Sequence, residues 1–187
     1  MFRKKILLLL AAALIILGFS GNEPFYCKVK MTSDSLMVKS SSFGNNENIP
    51  AKYSCDAENI SPALEWSKGP AVTKSYALVC DDPDAPSKVW VHWVLFNIPS
   101  SVTKLDENIP IGKNAISGAI QGTNDSGDMG YSGPCPPSGI HHYHFRIYAL
   151  DCSLSLDPGA SRSDVDTAMK DHTLAQGEII GLYKREK

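Results

Sequence analysis

The sequence predicts a mainly β domain of the sandwich type, on three observations. Short runs rich in Tyr, Val, Ile, Trp and Phe recur along the chain, turns rich in Gly, Pro and Asn separate them, and one clear stretch, from Ser163 to about His172, spaces its apolar residues as a helix does. A chain of 187 residues, 43% hydrophobic and 20% charged, suffices for one domain with a real core and is short for two.

The chain opens on Arg3, Lys4 and Lys5, followed by an unbroken apolar run from Ile6 to Leu17 and by Gly18, Phe19 and Ser20. A basic head, a short apolar stretch and small residues form the pattern of a secretory signal peptide over residues 1–20. An uncleaved membrane anchor is the second reading, against which the run falls short of the roughly 20 residues a spanning helix needs. Phe25-Tyr26 before Cys27 lacks the small residue of a lipidation signal. Residues 21–35 read as a flexible leader and 36–187 as the domain.

Within the domain, Leu36–Ser40 reads as a first edge strand, Ala51–Cys55 as a short strand and Asp56–Leu64 as a turn-rich connection. Tyr76–Asp82 and Trp90–Phe96 are two apolar strands joined by the rigid turn D-P-D-A-P-S-K. Ala115–Ile120 reads as a strand. Residues 121–139 form a long irregular loop carrying five glycines and three prolines, a length that in a compact domain points to function. Tyr143–Leu150 is a strand, Ser163 is the expected cap of the helix, and Leu174–Tyr183 is the closing strand.

Loss of the three leading cations takes the formal net charge from −2 to −5. No block of Lys or Arg follows, which argues against nucleic acid as a partner. The five cysteines are Cys27, Cys55, Cys80, Cys135 and Cys152, without a C-x-x-C pair. In an exported chain some would oxidise. Cys55 and Cys135, in polar loop-like surroundings, are the favoured pair, and Cys80 within an apolar strand reads as a small buried hydrophobe.

Side chains alternate along a strand. Tyr76, Leu78, Cys80 and Asp82 are therefore expected on one face, and Trp90, His92, Val94 and Phe96 together on one face of the next strand. Alternation from His141 puts His141 and Tyr143 on one face and His142 and His144 on the other. An acid and an imidazole at the ends of apolar strands suggest a site. The rival reading is that Asp82 and Asp84 close a turn and His92 is a core histidine. His142 and His144 could supply two metal ligands, too few for a site. Ser132 lies in G-Y-S-G-P, where Pro134 breaks the nucleophile-elbow pattern of a serine hydrolase. Asn59-Ile60-Ser61 and Asn124-Asp125-Ser126 fit the N-x-S acceptor pattern.

Three motifs in order, D-P-D-A-P at 82–86, W-x-H-W at 90–93 and G-P-C-P-P-S-G-x-H-x-Y at 133–143, resemble the phosphatidylethanolamine-binding protein family, in its bacterial, Raf-kinase-inhibitor-like branch. The resemblance runs from about Leu36 to the C-terminus. It implies an antiparallel β-sandwich with a large central sheet, a few short peripheral helices and one small anion-binding pocket. Carried over by position, that pocket comprises Asp82, Asp84, Pro86, Trp90, His92, Pro137, His141 and Tyr143. The function expected is a secreted or periplasmic protein, not an enzyme and without cofactor or resident metal. It binds a small anionic or zwitterionic ligand such as a phosphoryl headgroup and regulates through that pocket, touching membranes only by the signal segment or a lipid headgroup. The alternative is inhibition of a protease or kinase through the 121–139 loop.

Overall fold

The computed structural model describes residues 34–112, 116 and 118–185. The signal peptide, most of the leader, Cys27, and Ala115 and Ser117 of the strand expected at Ala115–Ile120 lie outside the described residues; of the rest of that expected strand only Ile120 is in one. The elements in chain order are β1 (Asp34–Ser35), β2 (Val38–Lys39), β3 (Glu47–Asn48), a 3₁₀ turn (Ala51–Tyr53), β4 (Leu64–Trp66), β5 (Ser75–Asp82), β6 (Trp90–Pro99), β7 (Lys104–Leu105), β8 (Ile120–Gln121), β9 (His141–Leu150), α1 (Arg162–Met169) and β10 (Thr173–Tyr183). Among the described residues no helix is long and apolar enough to cross a membrane.

Two sheets form. The large one runs β1-β10-β9-β5-β6-β8, with β3 also on β10, and the small one runs β2-β4-β7. From β10 to β8 every neighbour is antiparallel, while β1 and β3 join β10 in parallel. β5 and β6 are buried on both faces, whereas β9 and β10 alternate between buried and more exposed positions, with His142, Gln176 and Glu178 exposed. On one face, Tyr76, Leu78, Cys80, Trp93, Leu95, Phe145 and Ile147 pack with Leu64, Trp66 and Leu105 of the small sheet. On the other, Ala77, Val94, Phe96 and Leu150 pack with Leu154 and with Val165 and Met169 of α1. The fold is thus mainly β with a large central sheet, as expected, and among the described residues its short helices are α1 and the 3₁₀ turn, where a few were expected.

Three local expectations need correction. Residues 51–55 are not a strand. Pro50 has no N–H to give a ladder, and its carbonyl instead accepts from Tyr53 N at 3.0 Å, closing a 3₁₀ turn over Ala51–Tyr53. The helix cap is Ser161, not Ser163. Ser161 accepts from Asp164 N while the Asp164 carboxylate accepts from Ser161 N at 2.9 Å, a reciprocal capping box. The helix also stops at Met169, after which Asp171 takes a left-handed φ of 65°. Replacing Ser161 with Ala is expected to cost about 1 kcal/mol, whereas Ser163→Ala should stay within roughly 0.5 kcal/mol; denaturant unfolding of both variants checks this.

The third correction concerns β6. Its partner register runs Cys80↔Trp93 and then Asp81↔Val91, so His92 is an extra residue. Such a bulge re-aims the side chains next to it. Val91, Val94 and Phe96 face the helix layer, whereas His92 and Trp93, one after the other, face the main core. Simple alternation put His92 with Val94 and Phe96; the bulge moves the histidine to the opposite face, where Tyr143 lies.

Candidate functional site

Because β5 lies between β9 and β6, the C-terminal end of β5 and the N-terminal ends of β6 and β9 fall at one end of the sheet. Asp82 is the last residue of β5, His92 the third of β6, and His141 and Tyr143 the first and third of β9. The two distant motifs therefore meet. Asp82 Oδ2 lies 2.7 Å from His141 Nδ1, and the rings of His92 and Tyr143 meet edge to face at 5.1 Å. All four are buried: Asp82 is 3% exposed, His92 5%, His141 6% and Tyr143 0%.

Hydrogen bonding fixes the tautomers. A carboxylate and a carbonyl only accept, so His141 donates from Nδ1 to Asp82 and His92 donates from Nδ1 to the Ser132 carbonyl at 2.6 Å. In each ring Nε2 remains for a ligand. It accepts when the ring is neutral and donates only when the ring is charged. Burial pulls the His92 pKa below the ordinary value, against the Ser132 carbonyl and the Asp82 charge, which act to raise it. The Tyr143 hydroxyl is buried beside the Asp82 carboxylate, near enough to be influenced by it, yet makes no well-aligned hydrogen bond among the described residues. Burial, then the negative charge of Asp82, pushes this phenol well above its usual range, so it stays a donor.

Around this buried set lies a rim. Asp84 N donates to Asp82 Oδ1 at 2.8 Å, an Asx-type turn. Asp84 Oδ2 accepts from both the backbone N of His142, at 2.9 Å, and its Nδ1, at 2.7 Å. The His142 hydrogen bond holds the half-exposed Asp84 carboxyl below its ordinary pKa, against the opposing effect of its partial burial. Two acids two residues apart thus face two consecutive histidines, one pair inside and one outside. Trp90 is half-buried under Lys88, whose Nζ stands 5.4 Å from the ring centroid. Pro86 and Pro137 are exposed in their turns; the neighbouring Pro136, not Pro137, is buried.

Sequence reasoning missed two participants. Ser132 acts through its carbonyl, which no side-chain pattern signals. His142 was assigned to the outward face with His144, yet it serves Asp84, while His144 Nδ1 meets Glu178 at 3.0 Å. The D-x-D spacing against H-H was the available clue.

The 121–139 loop is held rigidly. Cys55 and Cys135 are joined by a disulfide with Cα atoms 5.4 Å apart. Tyr131 Oη donates to Tyr53 O at 2.7 Å and Gly133 N to Asn59 Oδ1 at 2.7 Å. Gly133 passes so near the 3₁₀ turn that a Cβ there would lie 2.3 Å from Tyr53 O, so only glycine fits. Asn124, 4% exposed, donates to Gly130 O and accepts from Ser126 N and Asp128 N. Its amide is spent inside the loop, so this N-x-S sequon is a loop clamp and not a free acceptor.

A profile of the family described as phosphatidylethanolamine-binding protein matches residues 39–184. A UPF0098 protein of Methanothermobacter thermautotrophicus is 56% identical over 148 residues, which cover 79% of this chain and 98% of the relative. A UPF0098 protein of Pyrococcus horikoshii is 44% identical over 191 residues, covering 98% and 91%. The crystal structure of E. coli YBCL, described as a new member of the mammalian PEBP family, superposes with a TM-score of 0.76 at 33% identity, covering 82% of this chain and 100% of YBCL. The chain belongs to the phosphatidylethanolamine-binding protein family.

Proposed function

We propose that this protein is an exported, non-enzymatic binding protein whose buried Asp82–His92–His141–Tyr143 pocket takes a small anion, a phosphate or phosphoryl headgroup, and regulates a partner according to its occupancy. The observation that carries this reading is the convergence of Asp82, His92, His141 and Tyr143 at one end of the sheet, where the buried Tyr143 hydroxyl, beside the Asp82 carboxylate, makes no well-aligned hydrogen bond among the described residues. Leaving such a group unpaired costs about 1–3 kcal/mol, which a ligand oxygen would recover. The pocket offers no Lys or Arg among the hydrogen bonds that build it. Binding therefore rests on the phenol donor and on imidazole Nε2 atoms that accept from a protonated anion while neutral and donate only when charged, beside two nearby carboxylates. This favours a monoanion over a dianion, and it leaves Asp84 at the rim to accept from a ligand ammonium.

Tyr143→Phe tests the proposal. It removes the orphan hydroxyl and keeps the ring, so the free protein should unfold at the same denaturant midpoint or slightly later. Phosphate affinity, followed by NMR titration of the histidine and tyrosine signals, should fall by about ten- to hundredfold, the equivalent of one charge-assisted hydrogen bond of roughly 1.5–3 kcal/mol. Unmoved His92, His141 and Tyr143 signals in the parent protein would end the reading.

Acidity supplies a second expected result. Sulfate carries no proton near neutrality, so it needs an imidazolium donor. With His92 depressed by burial, sulfate affinity should rise as pH falls below about 6.5, the unperturbed histidine value, and level off at higher pH. A flat profile between pH 5 and 8 counts against histidine charge as a source of binding.

A second reading, inhibition of a protease or kinase through the 121–139 loop, draws support from the loop's rigidity, since preorganisation lowers the cost of docking. Its exposed parts are residues 126–128, Cys135 and residues 137–139. Under this reading Asp128→Ala weakens inhibition and His92→Ala does not; the reverse favours the pocket.

A further inference from the structure

At the far end of β9, ten residues or roughly 30 Å from His141, a second cluster of chemically potent side chains gathers. Asp151 and Cys152 follow directly on β9, and His172 directly precedes β10. One ligand atom from each, a carboxylate oxygen, Sγ and an imidazole nitrogen, all lie within 4.8 Å of one another. We propose that Asp151, Cys152 and His172 form a binding site for a zinc-class divalent cation, separate from the anion pocket.

The backbone holds the three in place. Asp151 N donates to His172 O at 3.1 Å, locking the two chain segments together just beyond the β9–β10 ladder. Ser75 Oγ donates to Cys152 O, pinning the cysteine to β5. His172 N donates to Met169 O at 3.0 Å, and the left-handed Asp171 turns the chain so that the imidazole meets Asp151. His172 Nδ1 already lies 2.8 Å from Asp151 Oδ1. Zinc bonds of about 2.0–2.3 Å in tetrahedral array place ligand atoms roughly 3.3–3.7 Å apart, so small side-chain rotations bring the three donors onto one ion. His172 and Asp151 keep side-chain exposures of 47% and 38%, which leaves the fourth position to solvent or a partner's ligand.

The donor set selects the metal. A thiolate with an imidazole suits zinc, cobalt or copper and disfavours magnesium and calcium, which take oxygen ligands.

The test is titration of the full chain with Co²⁺, under conditions that keep the Cys55–Cys135 disulfide. The expected result is a thiolate-to-cobalt charge-transfer absorption that saturates at one ion per chain, is displaced by Zn²⁺ and is untouched by excess Mg²⁺. The band should vanish in Cys152→Ser, persist in Cys27→Ser, and need at least tenfold more Co²⁺ in His172→Ala and in Asp151→Ala. Zn²⁺ should also shield Cys152 of the parent chain from alkylation, read by mass spectrometry, a check that needs no variant to fold. The proposal is overturned if no band forms at stoichiometric Co²⁺, if it survives Cys152→Ser, or if His172→Ala and Asp151→Ala both leave the midpoint unchanged.

Discussion

The Cys55→Ser/Cys135→Ser double variant is expected to unfold with about 3–4.5 kcal/mol less free energy than the parent and to melt roughly 10 °C lower. The bridge spans a sequence separation of 80, and closing so long a loop removes much of the entropy of the unfolded chain. Replacing both cysteines avoids a stray thiol. The loop keeps other anchors, Tyr131 to Tyr53 O, Gly133 to Asn59 and Cys55 N to Pro134 O, so the fold should survive and the loss remain measurable. The same loop carries the Ser132 carbonyl that orients His92. A loop loosened by loss of the bridge holds that carbonyl less firmly, so anion affinity should fall severalfold even where the variant is fully folded. Denaturant unfolding without reductant, paired with a phosphate titration, measures both. A stability change under 1 kcal/mol would show that the bridge constrains the unfolded chain far less than its span implies.

The parts of this molecule legible in the sequence are those whose causes are local. Strands β5 and β6 announce themselves by continuous apolar runs because both of their faces are covered, and β9 and β10 by alternation of buried and more exposed residues. The inward direction of His141 and Tyr143 and the outward direction of His142 follow from alternation alone. The two-residue strands at Asp34, Glu47, Lys104 and Ile120 exist only because a neighbouring strand lends them a ladder, and no periodicity fits within two residues. The face of His92 was misread for a related reason. The bulge that inserts it is a property of the β5–β6 pair, not of β6. The convergence of Asp82 with His141 likewise depends on β5 lying between β6 and β9, which the motifs suggest and only the topology supplies. Ser161 and Ser163 both fit S-x-x-D, at 161–164 and 163–166, so capping-box spacing alone does not choose between them, and only the folded chain shows that Ser161 is the cap.

Asp81→Ala is expected to destabilise the protein by about 3 kcal/mol, at the low end of the 3–5 kcal/mol seen when one partner leaves a buried ion pair. Asp81 sits beside Asp82 in β5 but points to the opposite face, and its side chain is only 3% exposed. There it accepts from Arg146 of β9, through both carboxylate oxygens at 2.6 Å, and from Arg162 of α1. One carboxylate thus ties the helix to the sheet and separates two guanidinium groups at the edge of a cleft of about 440 Å³, which Val89 and Val91 also line. Removing it leaves two cations facing each other, each about a quarter exposed, and that exposure is why the loss stays near the lower bound. Arg162→Met should cost less, because Arg146 still satisfies Asp81 and because Arg162 also spends its Nε on Asp166. The two neighbouring aspartates should then separate cleanly in experiment. Asp81→Ala lowers the unfolding midpoint while the folded fraction keeps its phosphate affinity within about threefold. Asp82→Asn removes the charged acceptor that holds the His141 Nδ1 proton and lowers affinity by tenfold or more, as loss of a charge-assisted hydrogen bond implies. If both substitutions reduce affinity alike, the two faces of β5 are not independent, and the arginine clamp belongs to the binding machinery.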